Sequence, residues 1–178
     1  MSIRSITNAK NTKVGIRNKS QHPTRTILQR ISWIYPEDGG NVKPATGHMS
    51  KVVDNATAKQ NLIDAANGKN AHTSCYENAP CTTVALSVNM LNGVQTLSGN
   101  FTLSISEIAG GSHSVNSPHY NGVAIDVNEV NGDHVDTKNM TSEEILAFRQ
   151  AAYDAGATNV LDPLNEPTHH YNHFHIQW

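Results

Sequence analysis

The chain has little of what most directly signals a membrane, secreted or nucleic-acid-binding protein. Of its 178 residues only 6% are aromatic and two are cysteine. No apolar run approaches the roughly 20 residues that cross a bilayer, so no membrane span is expected. The N-terminus also lacks the apolar core, about 7–15 residues long, of a secretory leader. Acidic residues are missing before Glu37, whereas residues 1 to 36 hold seven Lys or Arg, and no arginine lies between Arg30 and Arg149. This asymmetry marks residues 1–50 as a basic arm, solvated or used for self-assembly on a neighbouring copy. Without interleaved aromatics or a recognisable motif the arm gives no reason to expect nucleic acid. The two cysteines, Cys75 and Cys81, flank Tyr76-Glu77-Asn78-Ala79-Pro80 and can close a small loop as a disulfide. A close pair of this kind leans toward an oxidising, extracytoplasmic or secreted setting.

Histidine, by contrast, is abundant: there are ten, and most lie between His113 and His175. The chain closes on His173-Phe174-His175-Ile176. In a strand, successive side chains alternate faces, so both imidazoles project to one side while Phe174 and Ile176 anchor the other in a core. Upstream, His119 and Asp126 are separated by Asn121-Gly122, a bend that allows two residues seven apart to meet. Val123 to Val127 then reads as a core strand that delivers Asp126 where a bare carboxylate is costly to bury and a cation relieves that cost. Two imidazoles and one carboxylate leave one tetrahedral position open, the pattern of a catalytic zinc site.

Around these motifs the periodicity predicts an α+β fold with a largely antiparallel sheet and two or three helices. Residues 51–178 form the main domain. A short helix is expected over Thr57 to Asn67, stopped by Gly68, and a second over Thr83 to Leu91, ended by Asn92-Gly93. Phe101, Leu103 and Ile105 alternate with polar residues as in a half-buried strand, and Asn131-Gly132 predicts a hairpin. Thr141 and Glu144 form a capping box ahead of a helix whose apolar face is Ile145, Leu146, Phe148, Ala152 and Ala155. Asn159 to Asp162 and Phe174 to Trp178 are expected strands. Trp33, Ile34 and Tyr35 are expected core or interface residues.

The run Ser117-x-His119-Tyr120-x-Gly122-x-Ala124-x-Asp126 followed by His173-x-His175 resembles the zinc peptidases that cut peptidoglycan peptides, the D-alanyl-D-alanine carboxypeptidases and L-alanyl-D-glutamate endopeptidases. It resembles the hedgehog signalling domain more closely still, with His113 and Glu107 also falling on that pattern, and the similarity spans about residues 100 to 178. The resemblance implies a hedgehog or D-Ala-D-Ala carboxypeptidase-like fold, a Zn2+ ion on His119, Asp126 and His175, and His173 as a non-ligand facing the substrate oxygen. It also implies a peptidoglycan peptide as substrate, or a protein partner for a non-catalytic, zinc-stabilised binding or assembly module. Two positions depart from the pattern: Asn172 stands where the peptidases place an acid three residues before the last ligand, and His169 where hedgehog-like domains place one. An amide cannot take a proton from water, so the catalytic proton acceptor is expected among His113, His169, His173 and Glu166.

Overall fold

The computed structural model of the protein describes residues 40–49 and 53–178. Trp33, Ile34, Tyr35 and most of the basic arm lie outside these residues. Among the described residues three α-helices form, the first and third where the sequence places them. Helix α1 (Ala58–Ala66) starts at Thr57, whose side chain accepts the Gln60 N–H, and gives way to Gly68 at φ 71°. Helix α2 (Val88–Ser98) starts at Ser87, which caps Met90 N–H. Helix α3 (Ser142–Asp154) carries the full capping box of Thr141 and Glu144, satisfying two otherwise unpaired N–H groups at once.

Eight short strands lie among the described residues: β1 (Val42–Pro44), β2 (Ala71–His72), β3 (Thr83–Val84), β4 (Leu103–Glu107), β5 (Ala124–Val130), β6 (Asp133–His134), β7 (Asn159–Leu161) and β8 (Phe174–Gln177). The main sheet runs β1-β4-β5-β8-β7, with β6 on β5, while β2 and β3 pair separately. The main sheet is mixed: β1 joins β4 in parallel, and the remaining pairs are antiparallel. Residues 42–44, which the sequence reading places in the basic arm, thus form an edge strand of this sheet, and Val42 is buried in the core. The Asn131-Gly132 turn adopts positive φ at both residues, as a tight two-residue hairpin demands.

One sheet face carries the core. Phe174 and Ile176 are fully buried there, and Phe174 meets Phe148 of α3 at 4.6 Å between ring centroids. Phe101 closes on the same ring edge-on at 5.1 Å. Leu146, expected on the buried face of α3, is 49% exposed, because Ile145, Phe148 and Ala152 already fill the stripe facing the sheet.

The second helix departs from its expected position. Thr83 and Val84 form β3, and the helix runs from Val88 to Ser98, straight through the Asn92-Gly93 pair expected to end it. Gly93 is not a stop here but a point of close approach: a Cβ at this position would lie 2.0 Å from the indole Nε1 of Trp178. The same indole N–H donates to Ala155 O at 3.2 Å, fixing the ring between α2 and the end of α3. Gly93→Ala is therefore expected to lower stability by about 2 kcal/mol despite the better helix propensity of alanine, since overpacking outweighs that gain. Denaturant unfolding of the variant checks this, and Gly93→Ala at Trp178→Ala should recover most of the overpacking loss.

Candidate metal centre

His119 is placed by a turn of 3-10 helix, Pro118–Asn121. Ser117 caps that turn by accepting the His119 N–H at 3.3 Å, and Gly122 reverses the chain at φ 67°. The strand β5 that follows holds Asp126 directly between Glu107 of β4 and His175 of β8, each its cross-strand partner. His175 is fixed in turn by its neighbours Phe174 and Ile176, which are locked in the core on the other face. Three separate segments thereby converge on one point of the sheet.

At that point His119 Nε2 lies 3.1 Å from Asp126 Oδ1 and 3.0 Å from His175 Nδ1, and His175 Nδ1 lies 3.0 Å from Asp126 Oδ1. A tetrahedral ion with ligand bonds of about 2.0–2.1 Å spaces its donors about 3.3–3.4 Å apart, so this triangle matches a metal seat with little adjustment. His119 Nδ1 is 2.6 Å from Ile108 O and donates its proton there, which leaves the Nε2 lone pair facing the other two atoms. Burial pushes the Asp126 carboxyl up, but the charge and hydrogen bond of His119 outweigh it and hold Asp126 well below the usual carboxylate range. Burial pulls His119 down, and Asp126 reverses that so that the imidazole is raised overall. The centre thus favours a positive charge among these atoms, which is the electrostatic requirement of a cation site.

His113 also belongs to this neighbourhood: donor atoms of His113, His119 and Asp126 lie within 4.8 Å of one another, so this His-His-Asp group can hold a metal ion. Two overlapping donor sets therefore share His119 and Asp126. The His113 ring stacks flat on His119, with 3.9 Å between centroids and 10° between planes. Imidazole lone pairs lie in the ring plane, so two parallel stacked rings must tilt apart before both can point at one ion. The His113 Nε2 is also occupied by Gly110 O at 3.0 Å. The set with His175 has the tighter geometry. Burial, and then the neighbouring His119, push His113 down to about 3, so its ring stays neutral and packs as a flat wall.

His173 lies beside the triangle, with Nε2 3.9 Å from Asp126 Oδ1. Its Nδ1 donates to Asn172 Oδ1 at 2.9 Å, which leaves the Nε2 lone pair turned toward the centre. Burial keeps this imidazole below its ordinary value and hence neutral near pH 7. Glu166 accepts the His170 ring at 2.7 Å and also the His169 N–H at 3.0 Å. His169 and His170 line the cleft over the centre, and Glu166 braces them from behind. The loop that carries them is tied down by Asp162, whose buried carboxylate takes a two-pronged bond from Arg149 at 2.6 and 2.7 Å.

A second set of ionisable residues was not legible in the sequence. His48 is buried between two carboxylates, with Nδ1 2.9 Å from Glu107 Oε2 and Nε2 2.8 Å from Asp54 Oδ1. Burial pulls His48 down, but the two carboxylates reverse that and raise it. Glu107 is raised chiefly by burial, with Asp126 adding to it. The Asp54-His48-Glu107 bridge therefore stabilises the fold most below the ordinary imidazole value, down to where Glu107 takes up its proton, and fades as pH rises through the raised folded-state value of His48. His48→Gln is expected to cost about 2 kcal/mol near pH 6. Chemical denaturation of both proteins across pH checks the sign, since the difference between them should shrink toward pH 9.

The centre opens into a cleft of about 920 Å³. One wall is the loop closed by the Cys75–Cys81 disulfide, which supplies Asn78. This loop is tied to the segment carrying His113 through Ser74 Oγ on Gly111 N–H at 3.0 Å and through Glu77 on Ser112. Among the described residues, no helix is long and apolar enough to cross a membrane. Comparison with protein-family models, with curated proteins and with solved structures gives no match to this chain.

Proposed function

We propose that the protein is a zinc-dependent, peptidase-like hydrolase acting on peptidoglycan stem peptides, with His119, Asp126 and His175 as the metal ligands. The observation that carries this reading is the triangle of three donor atoms, 3.0–3.1 Å apart, on the floor of an open cleft. Two imidazoles with one carboxylate favour zinc, and the side facing the cleft leaves room for a fourth, exchangeable partner. When bound, zinc supplies Lewis acidity toward a carbonyl oxygen and toward water. The substrate class follows from the resemblance of Ser117-x-His119-x-x-Gly122-x-Ala124-x-Asp126 and His173-x-His175 to the wall peptidases.

The chain itself must move a proton and steady the developing oxyanion. His173, with its Nε2 lone pair turned inward, is the nearest imidazole able to do either. Glu107, the second carboxylate on the cleft wall, is engaged by His48 through both oxygens, so the role that an amide at position 172 cannot perform falls to His173. His113 walls the site, and His169, braced by Glu166, lies at its rim. The disulfide supports an extracytoplasmic setting.

Asn172 favours a second reading, a non-catalytic module in which the metal contributes folding energy and no turnover. Elemental analysis of untagged protein, followed by measuring the amines it releases from purified peptidoglycan, separates the two. About one zinc per chain with new amines supports the hydrolase. Zinc without release supports the module, and no zinc removes both.

A further inference from the structure

Beside the metal centre the cleft floor continues over two strands whose register is known. β8 and β7 pair with His175 opposite Leu161, Ile176 opposite Val160 and Gln177 opposite Asn159. Val160 and Ile176 face the core, so His175, Leu161, Gln177 and Asn159 all face the cleft, and all four line it. Adding β5 gives two parallel rows across the sheet. The first is Asp126, His175 and Leu161, and the second is Ala124, Gln177 and Asn159.

The second row is chemically distinct. Ala124 is buried and small, and it is followed by two half-buried carboxamides side by side. Among the described residues neither the Asn159 nor the Gln177 side chain has a protein hydrogen-bond partner. Their amide atoms are reached by solvent from the cleft and can exchange that water for a ligand's polar groups. Each carboxamide presents both donor and acceptor, the complement of a peptide N–H and C=O. A terminal carboxylate would call for Arg or Lys, and the described residues lining this cleft include neither.

The spacing fits the same ligand. Rows on one sheet face are two residues apart, roughly 6.6–6.8 Å, which is also the two-residue repeat of an extended peptide laid along the strands. A chain with one carbonyl at the first row brings an internal amide, two residues on, over the second.

Resting on the hydrolase reading, we propose that Gln177 and Asn159 form a subsite for an internal, uncharged peptide group about two residues from the bond held at the metal centre. The substrate class is a peptide that runs on past that bond, cut within its length and not at a residue carrying a free carboxylate over this row.

The test uses the full zinc-loaded chain and hydrolysis-resistant phosphinic peptides with blocked ends, one of six residues and others shortened from either side to leave one residue beyond the phosphinate. Calorimetry is expected to show roughly tenfold weaker binding when the chain is shortened on one side, the yield of two lost hydrogen bonds. Asn159→Ala with Gln177→Ala removes both the donors and the acceptors of this row and adds no charge beside the metal centre. In that variant the long peptide should bind no better than the short one, with zinc affinity unchanged. Binding that ignores peptide length in the native chain, or a variant that keeps the full length effect, would overturn the subsite alone. Failure of every phosphinic probe to bind the zinc-loaded protein would overturn the hydrolase reading and the subsite with it.

Discussion

His175→Ala is expected to lower zinc affinity by about a hundredfold or more while leaving the metal-free fold almost unchanged. The imidazole supplies one corner of a triangle whose other sides are held by independent elements, His119 by its turn and by Ile108 O, Asp126 by β5. Groups that only orient a ligand typically contribute 10- to 100-fold to affinity, so a ligand itself contributes at least the upper end of that range. The fold should persist because the anchoring of β8 comes from Phe174 and Ile176 on the opposite face. His113→Ala is the informative control. Its ring lies parallel to His119 and must tilt away before both can share an ion, so zinc affinity should change far less. Competition titration against a chromophoric chelator measures both variants on one scale. Metal release should also follow acidification, because His119, raised by Asp126, binds protons in competition with zinc.

A large stability loss from a single methyl group is expected at Gly122. Its φ of 67° lies in the left-handed region, which costs an L-residue about 1–2 kcal/mol. A Cβ there would also stand 2.4 Å from Ala85 O, a backbone atom that cannot rotate away. Gly122 O meanwhile accepts Ser87 N–H at 2.8 Å at the start of α2, so the turn and the helix are coupled. Adding overpacking of about 1–3 kcal/mol gives a total near 4 kcal/mol for Gly122→Ala. Because this residue joins His119 to Asp126, zinc affinity should fall along with the unfolding midpoint. Calorimetric unfolding with and without zinc reads both effects. A variant as stable as the native chain would contradict the account of the turn.

Much of this was legible from local rules. The capping box of Thr141 and Glu144, the Asn131-Gly132 hairpin and the alternation of Phe174 and Ile176 against His173 and His175 each rest on neighbours in sequence, and each element forms where those rules place it. The second helix did not, because Gly93 read alone is a helix breaker. Only the fold brings Trp178, 85 residues later, onto that bare backbone. The His48 bridge escaped for the same reason. No pattern links a loop histidine to Glu107, which lies 59 residues away and meets it through the parallel pairing of β1 with β4. The carboxamide row was invisible until the β7–β8 register set Asn159 opposite Gln177.

The most direct test of the metal centre is a crystal of the zinc-loaded protein measured on both sides of the zinc absorption edge. One anomalous peak per chain is expected, about 2 Å from His119 Nε2, Asp126 Oδ1 and His175 Nδ1. A peak centred between His113 and His119 and out of reach of His175, or no peak in this cleft, would contradict that ligand set.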